Sequence, residues 1–139
     1  MNFTIYKIAN GEIIQSGHCQ DEDYELQQIP EDCDIIPLAS AVHSQYVENA
    51  SIVDKPAQPS QFYVFNYDLK QWVPDVDLAG QYAKRQRNTL LYQSDWTQIP
   101  GNPLSAEKQQ EWAYYRQALR DITMQPNYPF DINWPVQPE

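Results

Sequence analysis

The sequence predicts an α+β protein, with a β-hairpin-rich N-terminal part followed by a C-terminal antiparallel helical hairpin and an extended, Pro-rich tail. Three observations support this prediction. Short runs of β-branched and aromatic residues between turn residues fill the first half. Two segments with apolar residues at helical spacing lie in the second half. Four prolines then interrupt the stretch from Gln125 to Glu139 and favour an extended chain.

The first predicted element is a hairpin at Asn10-Gly11. This dipeptide between apolar runs is a strong short-range hairpin signal. A two-residue loop places Ile8 opposite Ile13, with Tyr6 on their face and Ile5 on the other. Both faces of this hairpin are therefore apolar, and each needs a cover from the same chain or from another copy.

A Pro-containing segment, residues 56–61, is predicted to be a linker. It separates an N-terminal β-rich part, residues 1–55, from a C-terminal part, residues 62–139. The C-terminal part begins with a second hairpin, in which we expect Trp72 to pack against Phe65 or Tyr63.

The first helix is predicted to begin after Pro74, with Asp75 or Asp77 as its cap. Apolar residues then recur at helical spacing, although basic and amide side chains interrupt the stripe. The residues of this stripe are Leu78, Tyr82 and Leu90, together with Ala79, Ala83 and Leu91.

The second helix is predicted to follow a Pro/Gly-rich turn, with Ser105 as its cap. Trp112, Tyr115, Leu119 and Ile122 lie at offsets of three and four, which is typical of one buried helix face. The short connection predicts that the two helices are antiparallel neighbours. In the tail, aromatic residues either anchor the chain to its own helices or bind a neighbouring molecule.

The charge distribution limits the partners. The formal net charge is −10, which argues against nucleic acid and anionic membranes as partners, because both require a positive surface. Residues 1–74 contain 11 acidic and 3 basic residues, and residues 75–139 contain 8 and 6. The segment 21–34 holds seven acidic residues and no Lys or Arg. Such a block is either a solvated loop or a docking patch for a basic partner.

The sequence predicts no catalytic residue, no cofactor and no metal. Cys19, Cys33, His18 and His43 are zinc-ligand types without the paired spacing of a zinc site. The acidic run from Asp21 lacks the glycine and the final glutamate of a calcium loop. Two cysteines without a signal peptide predict a reducing compartment.

Three sequence patterns in the second half carry a family resemblance. They are Arg-x-x-Leu-Leu-x-x-Ser-Asp-Trp-Thr-Gln from Arg87, Trp-x-x-Tyr-Arg-x-x-Leu-Arg-Asp from Trp112, and a late Trp134-Pro135. Their order resembles the tail assembly chaperone domain of bacteriophage tail fibre assembly proteins, over roughly residues 62–135. The resemblance implies a partner-binding unit whose candidate residues are Arg85, Arg87, Asp95, Trp96, Trp112, Tyr115, Arg116, Arg120 and Trp134.

The resemblance leaves three function classes open. The first is a chaperone that binds a tail fibre or baseplate protein in the host cytoplasm and then leaves. The second is a permanent structural adaptor in the virion tail. The third, which depends on charge alone, is an acidic decoy for a basic host protein. Self-association into a homo-oligomer also stays open, and each candidate residue has an alternative role in holding the helices together.

Overall fold

The computed structural model describes all 139 residues and is a mixed α+β structure, with antiparallel strands first and helices second. It divides into two compact units, Met1–Pro74 and Asp75–Glu139. The division lies after the second predicted hairpin, whereas the sequence analysis placed the boundary at residues 56–61.

The N-terminal unit contains three small antiparallel sheets. In the first sheet β1 lies between β2 and β3, and the other strands form the hairpins β4–β5 and β6–β7. A 3₁₀ helix, Asp21–Leu26, connects β2 to β3. The strands are β1 (Asn2–Lys7), β2 (Ile13–His18), β3 (Cys33–Ile36), β4 (Gln45–Glu48), β5 (Ser51–Asp54), β6 (Tyr63–Asn66) and β7 (Gln71–Pro74).

The predicted register of the first hairpin is wrong. Tyr6 pairs with Ile13, and the strands end before Ile8. Ile8 is instead exposed in the connecting loop. The physical reason is that the loop is longer than the two residues Asn10 and Gly11, since the Lys7 amide donates to the Glu12 carbonyl at 2.9 Å and the Gly11 amide donates to the Lys7 carbonyl at 2.8 Å. A further irregularity lies between Ile5 and Tyr6.

Both faces of the first sheet are covered by the same chain. Phe3, Ile5 and Cys33 form one buried cluster. Ile13 of β2 and Val47 of β4 belong to a second buried cluster, which therefore extends beyond the first sheet. Side chains alternate between the two faces along β1, so Phe3 and Ile5 lie on the same face and both belong to the first cluster. The two-sided apolar hairpin therefore needs no second copy to cover it.

Gly11 joins the first hairpin to β4. Its φ of +72° lies in the left-handed region, and a Cβ added there would stand 1.9 Å from the carbonyl oxygen of Val47. The amide of Val47 also donates to the carbonyl of Gly11 at 2.8 Å. Only glycine permits both the backbone angle and this close approach.

An aromatic cluster attaches β6–β7 to the N-terminal unit. Phe65 lies between the rings of Tyr46, Tyr67 and Trp72, with centroid distances of 5.6, 5.1 and 5.4 Å. The contact between Trp72 and Phe65 is one of the two that the sequence suggested. Because Tyr46 belongs to β4, this cluster explains why the second hairpin falls within the first unit.

Lys55 places its ammonium group against the same aromatic cluster. Its Nζ lies 5.2 Å from the ring centre of Phe65 and 4.8 Å from that of Tyr67. It also donates to the Tyr67 hydroxyl at 2.8 Å and to the carbonyl of His43 at 2.9 Å. The cation is therefore held by two oxygen acceptors and two aromatic faces.

The C-terminal unit consists of α1 (Val76–Gln93), α2 (Ala106–Arg120) and the 3₁₀ helices Asp95–Gln98 and Asp121–Met124. Both predicted caps are present. The Asp75 carboxylate accepts from the amide of Leu78 at 2.9 Å, and the Ser105 hydroxyl accepts from that of Lys108 at 3.2 Å. None of the helices combines the length and apolar character needed to cross a membrane.

The two helices differ in how well their buried faces were predicted. The α2 stripe is confirmed, since Trp112, Tyr115 and Leu119 are buried, and Ile122 is buried just beyond the helix. On α1 the alanines at 79 and 83 are buried, whereas Leu78 and Tyr82 are exposed, contrary to the prediction. The small alanine face allows close packing, and the larger side chains lie outside it.

Candidate partner-binding site

A loop fixed by small polar side chains connects α1 to α2. The Ser94 hydroxyl donates back to the carbonyls of Leu90 and Leu91 at the end of α1, at 2.8 and 3.0 Å. The Thr97 hydroxyl, fully buried, donates to the carbonyl of Ser94 at 2.7 Å. These bonds satisfy polar groups at the helix end and hold the following 3₁₀ turn in place.

Asn102 closes the same loop from its other end. Its side-chain amide donates to the carbonyls of Thr97 and Ile99, both at 2.9 Å, and its Oδ1 accepts from the amide of Leu104 at 2.9 Å. One side chain thereby links the 3₁₀ turn to the start of α2. The loop is irregular in outline but densely hydrogen-bonded.

Arg116 of α2 is the central side chain of this arrangement, with only 8% of its surface exposed. One terminal nitrogen donates to the Leu91 carbonyl at 2.6 Å and to the Ser94 hydroxyl at 2.8 Å, and the other donates to the Asp95 carboxylate at 2.7 Å. The planar guanidinium supplies these three bonds from one rigid group.

The environment of Arg116 combines a helix dipole with an ion pair. The guanidinium lies at the C-terminal end of α1, where the dipole favours a positive charge. The Asp95 side chain is 58% exposed, so solvent screens its attraction to Arg116. Two of the candidate residues, Asp95 and Arg116, therefore form an ion pair, but the hydrogen bonds to α1 contribute more to holding the helices together.

An aromatic cluster lies beside the guanidinium. The rings of Trp96 and Trp112 are 6.1 Å apart, and Trp112 meets Tyr115 edge-on at 5.6 Å. Trp112 and Tyr115 are buried, whereas Trp96 is 45% exposed. A cleft of about 140 Å³ opens between these rings, and its other lining residues are Leu90, Gln93, Ser94 and Gln137. The burial of the Tyr115 hydroxyl raises its pKa, because desolvation disfavours the phenolate.

The other basic candidates do not join this cluster. Arg85 is exposed on α1 and Arg120 is exposed at the end of α2. Arg87 is half-buried and donates from Nε and a terminal nitrogen to the side-chain oxygen of Asn88, at 3.1 and 2.9 Å. The structure therefore brings together Asp95, Trp96, Trp112, Tyr115 and Arg116, and leaves the other three arginines on separate surfaces.

Trp134 connects the tail to the same cluster. It is half-buried and packs against the group formed by Trp112, Tyr115 and Leu119. Upstream of it, the side-chain amide of Gln125 donates to the carbonyl of Asn133 at 2.9 Å and accepts from its amide at 2.8 Å. These contacts return the chain to its own helices.

The first half of the tail is not extended, in contrast to the prediction. Residues 126–130 form turns, and only residues 132–139 lack bends or turns. The Tyr128 hydroxyl donates to the Gly80 carbonyl at 3.3 Å, and Pro129 is buried. Proline limits the backbone to angles that turns also use, so a high proline content does not by itself establish an extended chain.

Sequence reasoning missed three residues of the site, namely Ser94, Thr97 and Asn102. Each is a small polar residue whose side chain binds backbone groups nearby, as such residues do at helix ends and turns. The signal was present, since two of them belong to the Ser-Asp-Trp-Thr-Gln run. No group of three or more His, Cys, Asp or Glu side chains in the structure is arranged to hold a metal ion.

The comparison with protein families matches this region. Residues 80–139 match the model of the phage tail assembly chaperone protein family. The C-terminal segment belongs to that family. The matched segment contains α2, the loop, the tail and all nine candidate residues, and it begins after the β6–β7 hairpin. No curated protein and no solved structure matches the chain.

Membership sets the general role of the segment. A phage tail assembly chaperone takes part in building the tail, so its expected partners are proteins of that tail. The fixed loop and partly exposed aromatic ring are features that suit protein binding.

Proposed function

We propose that this chain acts as a phage tail assembly chaperone, and that it assists the assembly of a tail fibre by binding the fibre protein in the host cytoplasm. The observation that carries the proposal is Trp96, a large aromatic side chain that is 45% exposed within the family segment. Tryptophan is enriched among the residues that dominate binding energy at protein interfaces.

The cleft next to Trp96 supports a contact through one apolar side chain of the fibre. Its volume is about 140 Å³, and three of its walls are aromatic rings. An apolar cavity of about 150 Å³ holds a molecule the size of benzene. A single side chain of the partner therefore fits between Trp96 and Trp112 and loses its contact with water there.

The loop that carries Trp96 supports binding with a small entropic cost. Hydrogen bonds from Thr97, Asn102 and Arg116 fix the backbone on both sides of the indole. A side chain already held in its bound position loses little conformational freedom on association. Such a site binds without first having to order the loop.

A direct test compares Trp96→Ala with Tyr114→Ala in binding the tail fibre protein of the same phage. Tyr114 is a matched control, because its side chain is 69% exposed on the neighbouring helix but lies outside the cleft. Loss of an interface tryptophan costs about 2 kcal/mol or more, which weakens binding roughly thirtyfold. Isothermal titration calorimetry measures the affinities, and circular dichroism checks the fold of both variants. Equal affinities for the two variants would sink the proposal.

A permanent adaptor in the virion tail or baseplate is the second candidate function. It is favoured by the division into two compact units, because each unit offers a surface for a different tail protein. Quantitative mass spectrometry of purified mature particles separates the two functions. A whole-number copy count that matches a tail symmetry supports the adaptor, and absence from particles together with abundance in the lysate supports the chaperone.

The exposed arginines enter this proposal as additional partner contacts. Arg85 and Arg120 present their charge to solvent, while Arg87 shares its donors with Asn88. We propose that they contribute to the rate and orientation of binding, since exposed charges affect association more than final affinity. Their replacement is therefore expected to change the association rate and its salt dependence.

A further inference from the structure

One face of α1 carries two cations without an ion pair. Six side chains at offsets of three and four line an open depression of about 630 Å³, and all six belong to this helix. The lining residues are Gln81, Lys84, Arg85, Asn88, Thr89 and Tyr92. Neither Lys84 nor Arg85 is among the four ion pairs of the structure. No acidic residue lines this depression.

The face also exposes an aromatic ring. Tyr92 is 80% exposed, and it lies two and three helical turns beyond Arg85 and Gln81 on the same side. Cations next to an exposed tyrosine match a partner segment that carries carboxylates and an apolar side chain. Of the residues on this face, only Arg85 is also part of the proposed fibre contact, and self-association is measured on the chain alone, so the two proposals are tested separately.

The acidic segment of the same chain has the complementary composition. The 3₁₀ helix Asp21–Leu26 exposes carboxylates at Glu22, Asp23 and Glu25, none of which forms an ion pair. The helix ends in Leu26, whose side chain is 73% exposed. The acidic segment therefore has three carboxylates without an ion pair next to an exposed leucine. The face of α1 has two cations without an ion pair and an exposed tyrosine, so the two surfaces are complementary in charge.

We propose that the outward face of α1 binds the acidic segment of a second copy of this chain. The carboxylates of Glu22 and Asp23 pair with Lys84 and Arg85, and Leu26 packs on Tyr92. Because the two surfaces are different, the contact is heterologous: in a pair, one copy keeps an unused acidic segment and the other an unused helix face, and each can bind a further copy. The association therefore forms a ring or an open chain.

The dependence on salt distinguishes this contact from general association. Two copies with a net charge of −10 each repel one another, and added salt weakens this repulsion. A contact between opposite charges is weakened by the same salt. Self-association that decreases as salt is raised from about 20 mM to about 500 mM is the expected result. Self-association that increases with salt overturns the proposal.

The experiment measures sedimentation velocity of the full chain with charge-reversed variants. Lys84→Glu/Arg85→Glu reverses the helix face, and Glu22→Lys/Asp23→Lys reverses the segment. Each double variant alone is expected to dissociate at least tenfold more readily than the unchanged chain. Arg120→Glu is the control, since Arg120 is exposed and outside the four ion pairs, and its reversal makes the net charge more negative while leaving both surfaces unchanged.

Mixing the two double variants decides the outcome. Together they again offer opposite charges between molecules, so the mixture is expected to recover the association that neither shows alone. Recovery requires a contact between copies, because a contact within one chain is reversed in both variants. A monomer at every salt concentration, an equal effect of the control variant, or a mixture without recovery each overturns the proposal. Circular dichroism confirms that the variants, all altered at exposed positions, are folded.

Discussion

The two units hold a cation against their cores by different means. In the N-terminal unit the Lys55 ammonium lies over the rings of Phe65 and Tyr67 and donates to two oxygens. In the C-terminal unit the Arg116 guanidinium donates three hydrogen bonds to the end of α1 and to the next turn. An ammonium group over an aromatic ring tolerates small displacements, whereas the planar guanidinium group fixes the direction of each of its hydrogen bonds. The second arrangement is the one that positions an exposed tryptophan.

The largest expected effect comes from Arg116→Met. The substitution removes three hydrogen bonds and leaves the Asp95 carboxylate without its cation, and we expect the free energy of unfolding to decrease by about 3 kcal/mol. Arg116→Lys keeps the charge but not the fork, and should lose about half as much. Urea denaturation followed by circular dichroism measures both. Equal stability of the lysine variant and the unchanged chain would show that charge alone suffices.

Lys55→Met tests the other side of the comparison with a smaller effect. The apolar stem remains against the rings, while the cation–π contacts and two hydrogen bonds are lost, so we expect a decrease of about 1 kcal/mol. Arg120→Met is the control, since Arg120 is exposed and is in none of the four ion pairs. Thermal unfolding of both variants provides the measurement. A loss as large as that of Arg116→Met would contradict the distinction between the two cations.

Gln125→Ala sharpens the comparison within the C-terminal unit. It removes two hydrogen bonds to the backbone of Asn133, both of which are exposed to solvent. The expected loss of stability is about 0.5 kcal/mol, because water replaces the lost partner. Trp134 fluorescence cannot be isolated from the other tryptophans, so hydrogen exchange of the tail amides is the measurement. Unchanged exchange in the variant would show that Trp134 alone holds the tail.

The smallest expected effect is the pH dependence from Glu107 in the first turn of α2. Hydrogen bonds from its own backbone amide and from the Ser105 hydroxyl lower the pKa of this carboxyl group. Its contribution to stability is therefore present above the ordinary glutamate pKa and is lost as the pH falls through the lowered value. Unfolding measured at about pH 6 and about pH 3 should differ slightly less in Glu107→Gln than in the unchanged chain. An identical difference in both proteins would contradict this assignment.

The part of the fold that local patterns control was predictable. The α2 stripe and both helix caps follow from spacing and from side-chain chemistry within a few residues. The register of β1 and β2 was not predictable, because the connecting loop is longer than Asn10-Gly11 and its Gly11 carbonyl accepts a hydrogen bond from Val47, which is distant in sequence. The exposure of Leu78 was also unpredictable. Leu78 and Tyr82 form one apolar stripe on α1 and Ala79 and Ala83 form an adjacent one, and the sequence does not reveal which of the two stripes faces the core.

The candidate site was predictable as a set of residue types but not as a geometry. The sequence indicated Asp95 and four arginines as candidates, and in the structure Arg116 is the arginine that pairs with Asp95. The sequence did not indicate that the Leu91 carbonyl and the Ser94 hydroxyl are the other two acceptors of Arg116. Backbone groups carry no sequence signal of their own, so their role appears only when the helices are packed.

Two glycines with the same backbone handedness should differ sharply in a complete substitution scan. Gly11 touches the Val47 carbonyl, so every side chain there collides with backbone, and we expect this loop position to be as intolerant as a core isoleucine. Gly101, with a φ of +83°, has no atom within 4 Å of an added Cβ and should accept asparagine. Mutational tolerance in this chain thus follows contact with neighbouring backbone, and a loop position can be among the least replaceable in the protein.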